Sequence, residues 1–273
     1  MHHFFAEAAD ITDTGVQLRG ENYNHLKNVL RARIGEHVLV SDGQGTDYEC
    51  EVRGFSEKPP CVSLRILARQ EMRELPAEIW LFQGLPKGDK LEWIIEKAVE
   101  LGAHAVVPVR MQNCVVRLDP KKAEQKGRRW QMIAESAARQ SKRSLIPEVR
   151  PDMSWTEALA AVRDFDYRLV PYENADGIAR TRELLSEMTA RLPAGNAADR
   201  ETRRLRIAVF IGPEGGISPG EIEEAMQAGL EPITLGRRIL RTETAAAAML
   251  SLLMIALEHE GTDCYYKESE NPV

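Results

Sequence analysis

A chain of 273 residues, 43% of them hydrophobic, can bury one large core or two modest ones. Its net charge of −6 argues mildly against a nucleic-acid partner, although local charge can overrule the total because phosphate contacts form on one face. The most apolar run, Ala245 to Leu257, is shorter than the ~20 residues a bilayer requires, and no signal peptide precedes it. The four cysteines (Cys50, Cys61, Cys114, Cys264) lack C-x-x-C spacing. A membrane span, a zinc site and a disulfide framework are therefore not expected, and a reducing cytoplasm is.

The chain opens on His2-His3-Phe4-Phe5, read as native and not as a tag remnant. From Gly15 to Leu67, short β-like runs (Val16 to Leu18, His37 to Val40, Tyr48 to Val52, Val62 to Leu67) are punctuated by turns such as Asp42-Gly43-Gln44-Gly45. That rhythm predicts a small barrel, interrupted by one helix from about Tyr23 to Ala32. The charged stretch Gln70 to Ala77 is the best linker.

Beyond it strands alternate with long helices, the pattern of a mostly parallel sheet covered by helices. A strand is expected over Ile79 to Leu85. A helix from Lys90 follows, with Asp89 and Glu92 at capping spacing, an apolar stripe of Leu91, Ile94, Ile95 and Ala98, and Gly102 past its end. A strand from Ala105 to Val109, a helix from Lys121 to about Gln140, a cap at Ser154 and Glu157, a strand from Tyr167 to Val170 and a helix from Ile178 to Leu192 come next. Pro193 to Arg203 reads as an exposed inserted loop. Between Lys121 and Arg143 stand eight basic residues against two acidic ones, a local excess of six positive charges.

The densest information lies between Ile207 and Leu257. An apolar strand (Ile207 to Ile211) runs into Gly212-Pro213-Glu214-Gly215-Gly216, and a second strand and loop (Ile233 to Gly236) follow. In a parallel sheet both loops surface at the carboxyl edge, where open α/β folds bind ligands. Gly216-Ile217-Ser218-Pro219-Gly220 spells the hydrolase elbow G-x-S-x-G, but Pro219 has no N–H for an oxyanion hole. Ser218 is read as a helix cap with Glu221. The last helix is apolar almost all round, so it is either central or packed on another subunit. With no metal cluster, Walker lysine or G-x-G-x-x-G, the ligand is recognised largely through glycine-loop main chain.

The two loops, Gly212-Pro213-Glu214-Gly215-Gly216 and Leu235-Gly236-Arg237-Arg238-Ile239-Leu240-Arg241-Thr242-Glu243-Thr244-Ala245, resemble the signature loops of RsmE-type SPOUT methyltransferases. The likeness extends upstream through the stretch Pro86 to Gly102, Arg129-Trp130 and Gln140-Ser141, so it spans most of the chain. It implies an α/β fold, a SPOUT-type parallel sheet with a C-terminal trefoil knot, over residues 73–273. A small PUA-like β-barrel with an RNA-binding surface, residues 1–72, would precede it. It also implies S-adenosyl-L-methionine as cofactor and a homodimer sharing its active sites through the last helix. The implied reaction is methylation of N3 of a uridine in 16S rRNA of the small ribosomal subunit. A SPOUT enzyme for another RNA target or atom, and a non-catalytic RNA-binding assembly factor, remain alternatives.

Under that resemblance Gly212, Glu214, Gly215, Gly216, Leu235, Gly236, Ile239, Leu240 and Thr244 are the expected cofactor contacts. Lys121, Lys122, Arg128, Arg129, Arg139, Lys142 and Arg143 are the expected RNA contacts. Methylating N3 requires loss of a firmly held proton, and a cation beside the ring would stabilise the developing imidate. Arg241 is the candidate cation and Glu243 a candidate to position or accept the proton. The competing expectation pairs Arg241 with Glu243 or Glu214, and makes Glu243 a helix-dipole partner. The chain departs from the family pattern at Met111-Gln112-Asn113-Cys114, where relatives carry Thr-Glu-Arg-Ser. It departs again at Arg139-Gln140-Ser141-Lys142-Arg143, where they carry Glu-Gln-Ser-Gly-Arg.

Overall fold

The computed structural model describes residues 1–70, 74–175, 177–192 and 204–258. In chain order the elements are β1 (His2–Phe5), β2 (Gly15–Arg19), α1 (Gly20–Asn24), β3 (His37–Ser41), β4 (Asp47–Glu57), β5 (Pro60–Gln70), β6 (Ala77–Gly84) and α2 (Lys90–Glu100). They continue with β7 (Ala105–Arg110), α3 (Pro120–Gln140), β8 (Glu148–Val149), β9 (Met153–Ser154), α4 (Trp155–Ala161), β10 (Tyr167–Pro171) and α5 (Ile178–Ala190). The last four are β11 (Leu205–Ile211), α6 (Pro219–Gln227), β12 (Glu231–Ile233) and α7 (Thr242–Leu257).

The first five strands form a half-barrel in the order β1-β3-β4-β5-β2, with β1 parallel to β3 and the other pairs antiparallel. Alternation of buried and exposed positions in β2 (Val16 and Leu18 in, Gln17 and Arg19 out) places one face on a core that includes Phe4, Leu26, Val40 and Val62. The helix expected to reach Ala32 stops earlier. A π-helical turn, His25–Val29, follows α1, and Arg31 then takes a left-handed φ of 53°. The Ala32 N–H reaches back to the Leu26 carbonyl at 3.0 Å, the closure a glycine usually makes at a helix C-terminus.

The second sheet runs β12-β10-β11-β6-β7-β8, with β9 beside β7, and every pair is parallel. Its central strands read as continuous apolar runs because helices cover both faces. From Ala208 to Phe210 every residue of β11 is fully buried, as are Ile79 and Leu81 of β6. Ser218 and Glu221, and Ser154 and Glu157, form reciprocal capping boxes. Asp89 precedes α2 without a side-chain cap, because its backbone (φ −99°, ψ 14°) is not extended and does not aim the carboxylate at the third helical N–H.

The two cores are separate, and polar groups join the sheets. Ser144, just past α3, donates to Asp47 of β4 at 2.8 Å, and Asp47 also accepts from Ser41. The expected linker is firmly held on its far side. Leu75 and the side chain of Glu74 are buried, Glu74 against Arg143. The stretch Pro193 to Arg203 and Cys264 lie outside the described residues. Among the described residues no helix is long and apolar enough to cross a membrane, and no group of three or more His, Cys, Asp or Glu could hold a metal.

Candidate active site

Strands β10, β11 and β12 lie side by side and parallel, so the loops leaving them emerge at one edge. Between those loops is a cavity of about 580 Å³ lined by Tyr172 and Glu173 after β10, by the stretch Gly212 to Ile217 after β11, and by Thr234, Leu235 and Gly236 after β12. Arg238, Ile239, Leu240, Arg241 and Thr242 close another side, and Lys90 reaches in from the start of α2. That volume is of the size that drug-sized ligands occupy, with backbone and apolar groups prominent on its walls.

Gly216 takes φ +70°, a region that a Cβ disfavours, and so turns the chain back toward α6. A Cβ on Gly215 would come within 2.9 Å of the Asn113 Cβ. Asn113 stands so close because its side-chain N–H groups donate to the carbonyls of Gly215 (2.9 Å) and Gly216 (3.2 Å). The neighbouring Gln112 N–H donates to Glu221 at 2.7 Å. The departure at residues 111–114 thus supplies the brace for the glycine loop.

Inside the fold a polar chain ties the two loops together. Gln83, fully buried near the end of β6, donates to the Thr242 hydroxyl at 2.9 Å, and that hydroxyl donates to the Gly212 carbonyl at 2.6 Å. Glu214 accepts from the Lys87 N–H at 3.1 Å and pairs with Lys90 at 3.1 Å. Partial burial pushes the Glu214 carboxyl up, but backbone hydrogen bonds and the Lys90 ammonium outweigh it and hold the group below the usual carboxylate range. Lys90 is raised, chiefly by its hydrogen bond to Glu214.

Of the residues expected at the cofactor, Gly212, Glu214, Gly215, Gly216, Leu235, Gly236, Ile239 and Leu240 all line the cavity, and Thr244 does not. Thr244 is exposed on the first turn of α7. Arg241 also lines the cavity and is exposed, without an ion pair among the described residues. The acids expected to pair with it, Glu214 and Glu243, are both bound to Lys90. Glu243 is not in the cavity wall; it packs behind Lys90, 3.4 Å from the ammonium. Gln83, Lys90, Asn113 and Thr242 escaped the sequence reading. A glutamine following the apolar run Ile79 to Phe82, and a lysine at the positive end of a helix, are the available signals for the first two.

The basic residues of α3 do not form one patch, since a 21-residue helix spans about 30 Å. Lys121 and Lys122 lie at its start. Arg128 pairs with Glu124 and Arg129 with Glu92 at 2.7 Å, although both arginines remain exposed. Arg143 is removed from the RNA set. Its side chain is only 7% exposed, paired with Glu74 and donating to the carbonyls of Val99 (3.0 Å) and Ala103 (2.6 Å). It cross-braces the fold because a buried guanidinium must satisfy its donors within the protein. Arg139 and Lys142 instead border a second cavity, of about 390 Å³, shared with His2, Asn22 and His25 of the half-barrel.

Residues 73–254 match the family model described as RNA methyltransferase domain, and residues 18–64 match that described as RNA methyltransferase PUA domain. The ribosomal RNA small subunit methyltransferase E of Bacillus subtilis is 38% identical over 242 residues, 88% of this chain and 90% of the relative. That of Mycobacterium bovis is 31% identical over 266 residues, 96% of each. A crystal structure of the enzyme of that name from Neisseria gonorrhoeae, bound to S-adenosyl methionine, superimposes with a TM-score of 0.72 at 30% identity, covering 93% of this chain and 97% of that one. The match over both halves, on a parallel sheet whose loops enclose the cavity, shows that the chain belongs to the family of the ribosomal RNA small subunit methyltransferases E.

Proposed function

We propose that the chain transfers a methyl group from S-adenosylmethionine to N3 of a uridine in 16S rRNA. The observation that carries this reading is the cavity between the two glycine-bearing loops, with the exposed Arg241 in its wall. Residues 1–72 act as the PUA-like RNA-binding unit and residues 73–273 as the SPOUT unit, with the trefoil knot in the stretch that ends in α7. The cavity fits the cofactor on its own terms. Main chain is laid bare at Gly212, Gly215, Gly216 and Gly236 for an adenosine to approach, with Leu235, Ile239 and Leu240 as apolar cover. When bound, the cofactor supplies a methyl group on a sulfonium that leaves as a neutral thioether.

The work left to the chain is electrostatic. As N3 loses its proton, negative charge spreads onto the flanking carbonyl oxygens, and Arg241 offers a planar fork of donors to one of them. The cleft bordered by Arg139 and Lys142 lies between the two units, where it supplies phosphate contacts that position the strand and carry no sequence information. A homodimer is supported by α7, whose Leu252 and Ile255 are 38% and 72% exposed although the helix is almost wholly apolar.

The test is methyl incorporation from labelled cofactor into small ribosomal subunits and into transfer RNA, followed by nucleoside analysis. Label in 3-methyluridine of the small subunit is expected. Label in a ribose or in transfer RNA would favour another SPOUT activity, and none in either a non-catalytic factor.

A further inference from the structure

Lys90 is placed where helix electrostatics oppose it. It is the first residue of α2, and a cation there meets the positive end of the helix macrodipole. Two carboxylates offset that cost. Glu214 comes from the glycine loop at 3.1 Å and Glu243 from the first turn of α7 at 3.4 Å. Glu243 depends on this ion pair, because its buried Oε2 accepts no hydrogen bond among the described residues. Lys90 and Glu214 both line the cavity and Glu243 does not, so α2 contributes the ammonium there and the glycine loop one of its two carboxylate partners.

We propose that Lys90 is a second substrate-facing cation, which Glu214 and Glu243 aim into the cavity to stabilise the anionic ring of the methyl acceptor. This rests on the reading that the acceptor is a uracil N3. That anion has two carbonyl oxygens flanking the nitrogen, and one cation cannot lie against both. Arg241 reaches the cavity from the second loop and Lys90 from α2, so each comes from a different element. The protonated ammonium is a compact point charge, suited to one oxygen. Its charged surroundings are Glu214, Glu243 and Lys87 nearby, with Arg238, Arg241 and Glu173 in the same cavity wall. In the chemistry N3 loses its proton to solvent, the N3 lone pair forms the new bond to the methyl carbon, and the carbon–sulfur pair leaves with sulfur. Lys90 keeps its own protons throughout, and Glu243 accepts none.

The experiment is single-turnover methylation of small ribosomal subunits between pH 6.5 and 9.5 by wild type, Lys90→Met, Lys90→Arg and Glu243→Gln, with calorimetric titration of S-adenosylmethionine into each. Lys90→Met should lose about a hundredfold in rate near pH 7. The deficit should narrow as pH rises, because base then ionises without help, while cofactor affinity stays within twofold. Lys90→Arg should recover part of the rate, and Glu243→Gln, which loosens the aim of Lys90 but keeps the cation, should lose clearly less than Lys90→Met. A Glu243→Gln loss as large as that of Lys90→Met would make Glu243 the acting group and overturn the proposal. So would an unaffected Lys90→Met, or one whose cofactor affinity falls as far as its rate. A wild type that labels another atom or RNA would overturn the uracil-N3 reading itself, a result distinct from an active wild type matched by Lys90→Met.

Discussion

The Thr242 hydroxyl donates to the Gly212 carbonyl at 2.6 Å, and this one bond joins the first residue of α7 to the loop that leaves β11. Gln83 donates to the same hydroxyl, so a single side chain ties both halves of the cavity wall to the central strand β6. Thr242→Val should remove donor and acceptor together and leave buried partners unsatisfied, at a cost of about 1–3 kcal/mol. Urea denaturation should report that loss and calorimetry a weaker cofactor, with Thr242→Ser close to wild type in both. A valine variant that matches wild type would mean the loops hold their geometry without the bond.

Arg143 and the pair Arg139 and Lys142 are neighbours in sequence with opposite expectations. Arg143→Met should destabilise by about 3–5 kcal/mol, since Glu74 is left buried and unpaired. Reversing Arg139 and Lys142 to Glu should leave the fold intact and flatten the salt dependence of RNA binding, by ~0.7–0.9 in log–log slope for each phosphate no longer neutralised. Lys142 carries a further signature, a left-handed φ of 56° at the end of α3 where glycine is the usual occupant. Lys142→Gly should therefore relieve strain on the order of 1 kcal/mol and still weaken RNA binding. A salt slope unchanged in the double reversal would reduce these side chains to a solvated helix end.

These contrasts show what the sequence could and could not convey. Capping boxes at Ser154 and Ser218 are legible because all their partners lie within four residues, and the apolar run of β11 is legible because both its faces are covered. The cavity loops follow from the same strand and glycine punctuation. Arg143 counts among the basic residues in and just after α3 but pairs with Glu74, 69 positions away, and a count of charges cannot tell a solvated arginine from a buried one. Asn113, 102 positions from Gly215, is hidden for the same reason. Glu243 shares the signature loop with Arg241, but the turn of the helix carries it away from the cavity and onto Lys90.

His3 makes the junction of the two sheets sensitive to pH. Ser41 gives its hydrogen to Asp47, so neutral His3 carries its proton on Nε2 and donates to Ser41 at 2.6 Å. Burial pushes its pKa below the ordinary imidazole value, against the opposing pull of the Arg139 carbonyl and Asp47. A depressed imidazole means that the unfolded chain binds a proton which the folded one resists. The contribution of His3 is therefore full above the ordinary value of about 6.5 and is lost as pH falls below it and through the lower value of the folded state. Urea denaturation between pH 7.5 and 5.5 should show a shallower loss of stability for His3→Gln than for wild type. The difference should be at most about 1.4 kcal/mol per pH unit, the slope of one proton. Parallel curves would assign the acid sensitivity elsewhere, His104 first, because burial depresses it in the same direction.

Arg241 offers the most direct test of the imidate chemistry, because it lines the cavity and has no acidic partner among the described residues. If its fork stabilises the deprotonated base, single-turnover methylation by the wild type should rise with pH and level off as bound uracil becomes ionised. Arg241→Ala should lose about a hundredfold near neutral pH, on the order of 3 kcal/mol of transition-state stabilisation. Arg241→Lys should lie between the two, since it keeps the charge but not the two parallel donors. Cofactor affinity should hardly move in either variant, for the glycine-loop main chain is untouched. Combined with Lys90→Met, the alanine change should cost less than the sum of the two single losses if both cations act on one delocalised charge. An Arg241→Ala enzyme within a few-fold of wild type would remove this residue from the mechanism and pass its role to Arg238, the other exposed arginine of the same wall.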